Sequence, residues 1–314
     1  MRRDRPVRIH GLMCVHDEAD VLDEVLDHLL PMVESLHILD TGSRDGCWDI
    51  VRTRQRRDAR VETVERSGVP FCNGHRGVLF ELARRRFRAG DWVARFDPDE
   101  FYVPGLLPPD DAGHAADLHE FLATRVRPWE GRVLARMFEF VITAGEAAGL
   151  AAGRGGGGAS IREARRWYVT DPVPEPRLFR FRRGMRWGPG HANPFSPGLV
   201  AAERVAVAHY RWRSLDQMKV RHANRLAAAG VTHHGTHWSV PSWEEWVYAD
   251  SDARLRRFEP GAAGRLDGPR PESPERGGWR GGLRSALYRS GVVHLTDRLR
   301  RGWGRDQIRA VLTP

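Results

Sequence analysis

Lysine is nearly absent from this chain: of its 50 lysine and arginine residues only one, Lys219, is a lysine. The formal net charge of +9 is therefore carried by arginines, which are scattered and interleaved with acids. That pattern fits GC-rich codon usage and a solvated basic surface better than a phosphate-tracking groove, so no nucleic-acid partner is expected. Cysteine is also scarce. Cys14, Cys47 and Cys72 are odd in number and lack the paired spacing of zinc or redox motifs, which makes them small hydrophobes rather than ligands or disulfide partners. No apolar run approaches the roughly 20 residues of a membrane span, and Met1 to Pro6 has neither the apolar core nor the cleavage site of a signal peptide. A soluble, cytoplasmic protein is the expectation. Two loops are missing as well. A dinucleotide site needs a glycine-rich turn after the first strand; here that position reads Val15-His16-Asp17-Glu18, and no phosphate-binding P-loop occurs anywhere.

What is present is a core. With 314 residues and 41% hydrophobic content the chain can bury one large domain plus a tail. From Val7 to Asp97 short β-branched runs alternate with helical periods, which predicts a parallel sheet covered by helices. Four strands are predicted, over 7–15, 35–40, 60–64 and 92–97. Between them, Val21, Leu22, Val25, Leu26, Leu29 and Leu30 form one apolar helix face, and Val78, Leu79, Leu82 and Phe87 form a looser one. Beyond Phe101 the pattern predicts a helix over 115–126 and a glycine- and alanine-rich loop over 150–160. Strands and turns follow over 166–210, then a helix over 214–229, a Trp-rich helical piece over 242–258, a Gly/Pro/Arg-rich linker over 261–282 and a basic helical tail. Trp238, Trp243 and Trp246 read as core filling.

Ligands of an open parallel sheet bind at the carboxyl ends of its strands. Three of the four predicted strands end in acids: Asp17 and Glu18, then Asp40, then Asp97, Asp99 and Glu100. A lone Asp17 is as well explained as a helix cap. Asp97 and Asp99 are not, because Pro98 interrupts the ladder and two carboxylates on one extended turn repel unless a cation or donor lies between them. A hard divalent ion, Mg²⁺ or Mn²⁺, is the usual solution. Any diphosphate at this rim would have to be met by that metal and by arginines, Arg76 being the best placed.

The strings VHDEADVLDEVLDHL, HILDTGSRDGCWDIV and WVARFDPDEF resemble the N-terminal half of bacterial family 2-like glycosyltransferases of the GT-A fold, and HANPF and HYRWRSLDQMKVR resemble elements further along the same subgroup. The resemblance covers roughly 7–230 and implies a nucleotide-sugar half over about 7–103 and an acceptor half over about 104–238; the tail lies outside it, and its pattern predicts a helical, arginine-rich extension over 239–314. It implies that Asp40 hydrogen-bonds the nucleobase with Glu18 beside it, that Asp97 lies near the ribose and also serves the metal, that Asp99 coordinates the metal bridging the diphosphate, and that His209 is a further ligand. The family's Asn is replaced here by Asp17.

The expected activity is metal-dependent transfer of a hexosyl group, with inversion, from a nucleoside diphosphate sugar, UDP by family default, to an acceptor that is a small molecule, a glycan, a lipid-linked sugar or a peptide. A base must take the acceptor proton. His191, Glu139 and Asp171 are the candidates, and His191 ranks first because imidazole titrates near neutrality. Two other functions compete: a sugar-nucleotide nucleotidyltransferase, against which Asp17 and Glu18 argue, and a non-catalytic basic module binding nucleic acid or membrane through its tail.

Overall fold

The computed structural model describes residues 6–69, 71–153, 160–171, 175–188, 191–195, 198–228, 240–261, 264–269, 286 and 305–312. The four predicted strands are all present, as β1 (Ile9–Val15), β2 (Ser35–Asp40), β3 (Val61–Arg66) and β4 (Trp92–Phe96). They pair in parallel in the order β3-β2-β1-β4. Three helices, α1 (Ala19–Leu29), α2 (Cys47–Arg57) and α3 (Asn73–Ala83), provide the crossovers. The α/β architecture expected from the sequence is the one observed.

Helix α1 forms where the apolar spacing places it, and Val21, Leu22, Val25, Leu26, Leu29 and the following Leu30 are all buried. The looser face on α3 divides: Val78, Leu79 and Phe87 are buried, whereas Leu82 is 42% exposed. Close approach of strands explains Gly11 in β1. A Cβ there would lie 2.6 Å from Leu36 and 2.7 Å from Phe96, so only glycine lets these two neighbours meet across the strand.

The second half adds antiparallel strands that the sequence did not delimit. β5 (Glu100–Tyr102) follows β4 directly, and β6 (Glu130–Val141) is a 12-residue strand that pairs with β7 (Trp167–Thr170) and β8 (Pro176–Arg180), both antiparallel. β9 (Leu199–Val200) and β10 (Val205–His209) run parallel to β6, and β10 is also antiparallel to β5. The mixed sheet is completed by β8 against β4 and by β11 (Arg256–Arg257) against β7.

Between β5 and β6 the predicted helix is confined to α4 (Leu118–Glu120) and a wider π turn, Phe121–Arg125. Asp117 caps it by accepting from the Glu120 N–H. After β6, α5 (Ala144–Ala151) and α6 (Ile161–Ala164) flank the glycine-rich run, most of which lies outside the described residues. Helix α7 (Leu215–Ala228) matches its expected span.

The Trp-rich piece is a single 3₁₀ turn, Trp243–Trp246, followed by irregular chain and β11, rather than a helix over 242–258. Its tryptophans are pinned individually instead: Trp246 stacks on Trp212 at 4.2 Å and is buried, while Trp238 lies outside the described residues. Of the basic tail, Ala286 and α8 (Arg305–Leu312) are described, and α8 packs on α3. Cys14, Cys47 and Cys72 are all free thiols, and Cys47 is fully buried. Among the described residues no helix is long and apolar enough to cross a membrane.

Candidate functional site

Parallel pairing brings the carboxyl ends of β1 and β2 level, with Val15 opposite Asp40, and sets β4 beside them. The chain leaves β1 through Asp17, the one non-glycine residue with positive φ (53°) among the described residues. Asp and Asn are the side chains that tolerate this left-handed conformation, which accounts for Asp standing where the resembled family has Asn. The Asp17 carboxylate is held by the Arg44 N–H at 2.7 Å and by Asn224 Nδ2 at 3.3 Å, and its own N–H donates to Ser43 Oγ. A helix cap is therefore not its role.

Asp40 closes β2 and is fully buried. Its Oδ1 accepts from the N–H groups of Gly42 (2.8 Å) and Ser43 (2.9 Å) in the turn that follows, and Arg66 Nε lies 3.3 Å away. Its Oδ2 has no hydrogen-bond partner. An unsatisfied buried acceptor of this kind costs about 1–3 kcal/mol, a cost that a donor on a ligand would remove. At the neighbouring end of β3 the Ser67 N–H donates to the Asp40 carbonyl, and Ser67 Oγ meets His75 Nε2 at 2.9 Å. The last carbonyl of α8, on Leu312, accepts from the Gly68 N–H at 3.4 Å, so the C-terminal segment reaches this same corner.

Asp97 and Asp99, two residues apart after β4, are met by different cations. Asp97 is partly exposed and takes Arg76 at 2.9 Å from α3 and Arg177 at 3.3 Å from β8. Arg177 also hydrogen-bonds the fully buried Glu100. Asp99 is buried and faces His209 Nε2 at 3.2 Å, Arg221 at 3.1 Å and Arg213 at 3.7 Å. The repulsion anticipated between the two carboxylates is thus relieved by Arg76 of α3 and by arginines and a histidine from the second half of the chain.

His209 is placed by β10, where its register partners are Glu100 on β5 and Glu139 on β6. Its Nδ1 lies 2.9 and 3.0 Å from the two Glu139 oxygens, so Nδ1–H donates to Glu139 and Nε2 is turned to Asp99. Burial alone would lower the His209 pKa, but Glu139 and Asp99 on either side raise it well above the usual imidazole range. Burial likewise pushes Asp99 upward, and His209 together with Arg221 and Arg213 overcomes this and holds it well below the usual carboxylate range.

The donor set tests the metal reading. An imidazole fixed through Nδ1 by a carboxylate, with Nε2 facing a second carboxylate at 3.2 Å, is the arrangement in which histidine ligates a divalent ion. Asp99 and His209 fit that chemistry. Asp97 stands with Arg76 and Arg177 instead, and among the described residues no three His, Cys, Asp or Glu side chains form a ready metal cluster.

Glu18 is paired with arginines of the second half. Its carboxylate hydrogen-bonds Arg213 and lies 3.6 Å from Arg221, which joins it to the Asp99 group, and Arg213 is shared further with Asp20 at 2.7 Å. His191 is exposed on a turn whose carbonyl accepts from Trp187 Nε1. The next residues of that turn are gripped by Arg95, which donates to Ala192 O and Asn193 Oδ1 and pairs with Glu175 at 2.5 Å; Glu175 in turn pairs with Arg177. A chain of ion pairs therefore runs from the His191 turn to Asp97. Glu139 is committed to His209 and Arg211, and Asp171 is partly exposed at the end of β7.

Sequence reasoning named Asp40, Asp97, Asp99, His209, Arg76 and Glu18, and did not single out Arg177, Arg213 or Arg221. The last two lie within the HYRWRSLDQMKVR string, which was the available signal. Arg177 had none, since one more arginine in an arginine-rich chain carries no local mark.

No family model matches the chain. No curated protein matches it either. Among solved structures it is similar to a mannosyltransferase from Pyrobaculum calidifontis in complex with GDP-Man and Mn²⁺ (13% identity over 73% of this chain and 66% of that one, TM-score 0.36). It is similar also to TarS from S. aureus (11%, 70% and 66%, 0.33) and to glucosyl-3-phosphoglycerate synthase from Mycobacterium tuberculosis with UDP (19%, 73% and 82%, 0.36). The chain spans just under two thirds of the length of the first two.

Proposed function

We propose that the protein is a metal-dependent glycosyltransferase of the GT-A, family 2-like kind, taking a hexosyl group from a nucleoside diphosphate sugar. The observation that carries this reading is a convergence. Residues chosen on three separate strand ends, together with His209 some 110 positions further along, occupy one carboxyl edge of a parallel sheet, and Asp99 and His209 are in direct contact.

In this reading the unsatisfied Asp40 Oδ2 accepts an N–H of the nucleobase, for which uracil is the default. Arg76 and Arg177, which now neutralise Asp97, are the cations for the diphosphate. A Mn²⁺ or Mg²⁺ ion would be held by Asp99 and His209. When bound, it supplies Lewis-acid stabilisation of the charge that develops on the departing diphosphate. Glu139 holds the His209 ring in the tautomer this requires.

Transfer forms a bond between the acceptor oxygen and the anomeric carbon while the bond from that carbon to the diphosphate oxygen breaks, its electron pair leaving with the nucleoside diphosphate. The acceptor proton goes to His191, whose exposed turn is tied to the Asp97 cluster through Arg95, Glu175 and Arg177. Attack from the face opposite the diphosphate gives inversion. Nucleotide release from a panel of donors, measured for wild type and for Asp99→Asn and His191→Ala, tests the assignment. Full activity in Asp99→Asn would end the metal reading. A nucleotidyltransferase is separated by assaying pyrophosphate from a sugar phosphate and a nucleoside triphosphate.

A further inference from the structure

The opposite end of the same strands carries a second polar constellation that the transfer chemistry does not use. Strand β2 runs from Ser35 to Asp40, so its two ends are roughly 16 Å apart. At the Ser35 end lies a pocket of about 410 Å³. Its floor is formed by His10 and Ser35, which belong to a buried chain of hydrogen bonds. Ser35 Oγ is 2.8 Å from His10 Nδ1 and 2.9 Å from His37 Nε2, and His10 Nε2 is 3.3 Å from Asp91. The Asp91 carboxylate can only accept, so His10 donates to it through Nε2 and takes the Ser35 hydroxyl hydrogen on Nδ1. Ser35 in turn accepts from His37. Burial lowers the pKa of both imidazoles, His37 to about 4, and this chain of hydrogen bonds is uncharged apart from Asp91.

The walls carry four arginines against two carboxylates, Glu34 and Glu62. Arg8, Arg85, Arg86 and Arg88 all line the pocket. Arg86 is matched by Glu62 at 3.1 Å. The other three are not matched in this way. Arg8 lies 3.8 Å from Glu34 and 3.9 Å from Asp91, beyond hydrogen-bond distance, and its Nε is buried with no partner. Among the described residues no carboxylate pairs with the guanidinium of Arg85 or Arg88. Asp91 is already engaged by His10 and by the Arg88 backbone N–H at 2.8 Å. Three arginines thus line one small cavity with no carboxylate within hydrogen-bond distance of their guanidinium groups, a donor set that suits a multidentate oxyanion.

We propose that this pocket is a second ligand site, for a small phosphate monoester whose phosphoryl group is gripped by Arg8, Arg85 and Arg88 over the His10–Ser35 floor. The site does not depend on the glycosyltransferase reading, since it shares no residue with the Asp40, Asp97 and Asp99 edge.

The test is titration calorimetry of the full chain with inorganic phosphate and with glycerol phosphate, at ionic strength matched with KCl. The variants are Arg85→Ala/Arg88→Ala, both at exposed positions, and Arg76→Ala on the opposite edge. Saturable binding to wild type and Arg76→Ala, weakened about tenfold or more in the double variant, is the expected result. Absence of saturable binding, equal binding by the double variant, or loss only in Arg76→Ala overturns the proposal. A parallel sedimentation assay with phosphatidylglycerol vesicles separates the sources of phosphate: vesicle binding that requires Arg85 and Arg88 without binding of the free esters would also overturn it.

Discussion

His209 Nε2 and Asp99 Oδ1 lie 3.2 Å apart, joining a strand of the second half of the chain to the end of β4. Both side chains are buried, and Glu139 on the far side of the imidazole completes a carboxylate-imidazole-carboxylate line. The contact holds the two halves of the chain together and is also the pair proposed to take the metal. Substitutions here are therefore expected to show two separable effects.

His209→Gln removes a buried cation from between two carboxylates. Breaking one side of a buried charge network costs about 3–5 kcal/mol, and a loss of that order is expected in urea unfolding at neutral pH. Glu139→Gln keeps the ring in place and should cost less stability, yet weaken Mn²⁺ binding by about 10–100-fold, as measured by metal titration.

Asp40→Asn changes one carboxylate oxygen to an amide. The turn hydrogen bonds at Gly42 and Ser43 can persist on the remaining oxygen, so the fold should hold. Affinity for the nucleoside diphosphate is expected to fall by about tenfold or more, because a hydrogen bond to a charged acceptor is worth about 1.5–3 kcal/mol. Unchanged nucleotide affinity in calorimetry would remove Asp40 from the base site.

His191→Ala is expected to behave differently from both. Its side chain is exposed and its loop is secured through the carbonyl of His191, Ala192 and Asn193, so stability and donor binding should stay at wild-type levels. Loss of a positioned base should reduce the turnover rate by about 100-fold or more. A variant with wild-type turnover would transfer the role to another side chain.

Acid should destabilise the chain above the carboxylate range. Burial holds His28, His37 and His75 at about 4, well below their unfolded value of 6.5. Each therefore binds its proton more readily in the unfolded chain, so stability is lost as pH falls from about 6.5 to about 4 and levels off for these groups below that. Roughly 2–3 kcal/mol per buried histidine is at stake. Unfolding midpoints in urea between pH 7 and pH 4 should show this slope, and His28→Gln should flatten it.

The sequence carried the parallel half of the fold well, because β1 to β4 and α1 obey simple periods and their boundaries fall within a few residues of the predicted ones. Strand β6 was not legible for a physical reason. It is buried nearly throughout yet contains Arg136 and Glu139 among its apolar residues, and neither alternation nor a continuous apolar run describes it. The 242–258 segment misled because Trp243 and Trp246, three residues apart, imitate a helical face, whereas the chain makes only one 3₁₀ turn there and seats Trp246 on Trp212. At the site, the acids were legible because strand ends collect them. Their counter-charges were not, because Arg177, Arg213 and Arg221 reach Asp97, Asp99 and Glu18 across sequence separations that no local pattern records.

The most direct test is a thermal-shift series on the full chain with nucleoside diphosphate sugars, each with and without Mn²⁺, for wild type and Asp99→Asn. A ligand at a hundredfold excess over its Kd stabilises the folded state by about 2.7 kcal/mol, enough to move the melting temperature by several degrees. The expected result is one nucleotide sugar, with uridine as the base, that raises the wild-type midpoint only when Mn²⁺ is present and leaves Asp99→Asn unmoved. A midpoint that no nucleotide sugar shifts, or an equal metal-dependent shift in Asp99→Asn, would contradict the account.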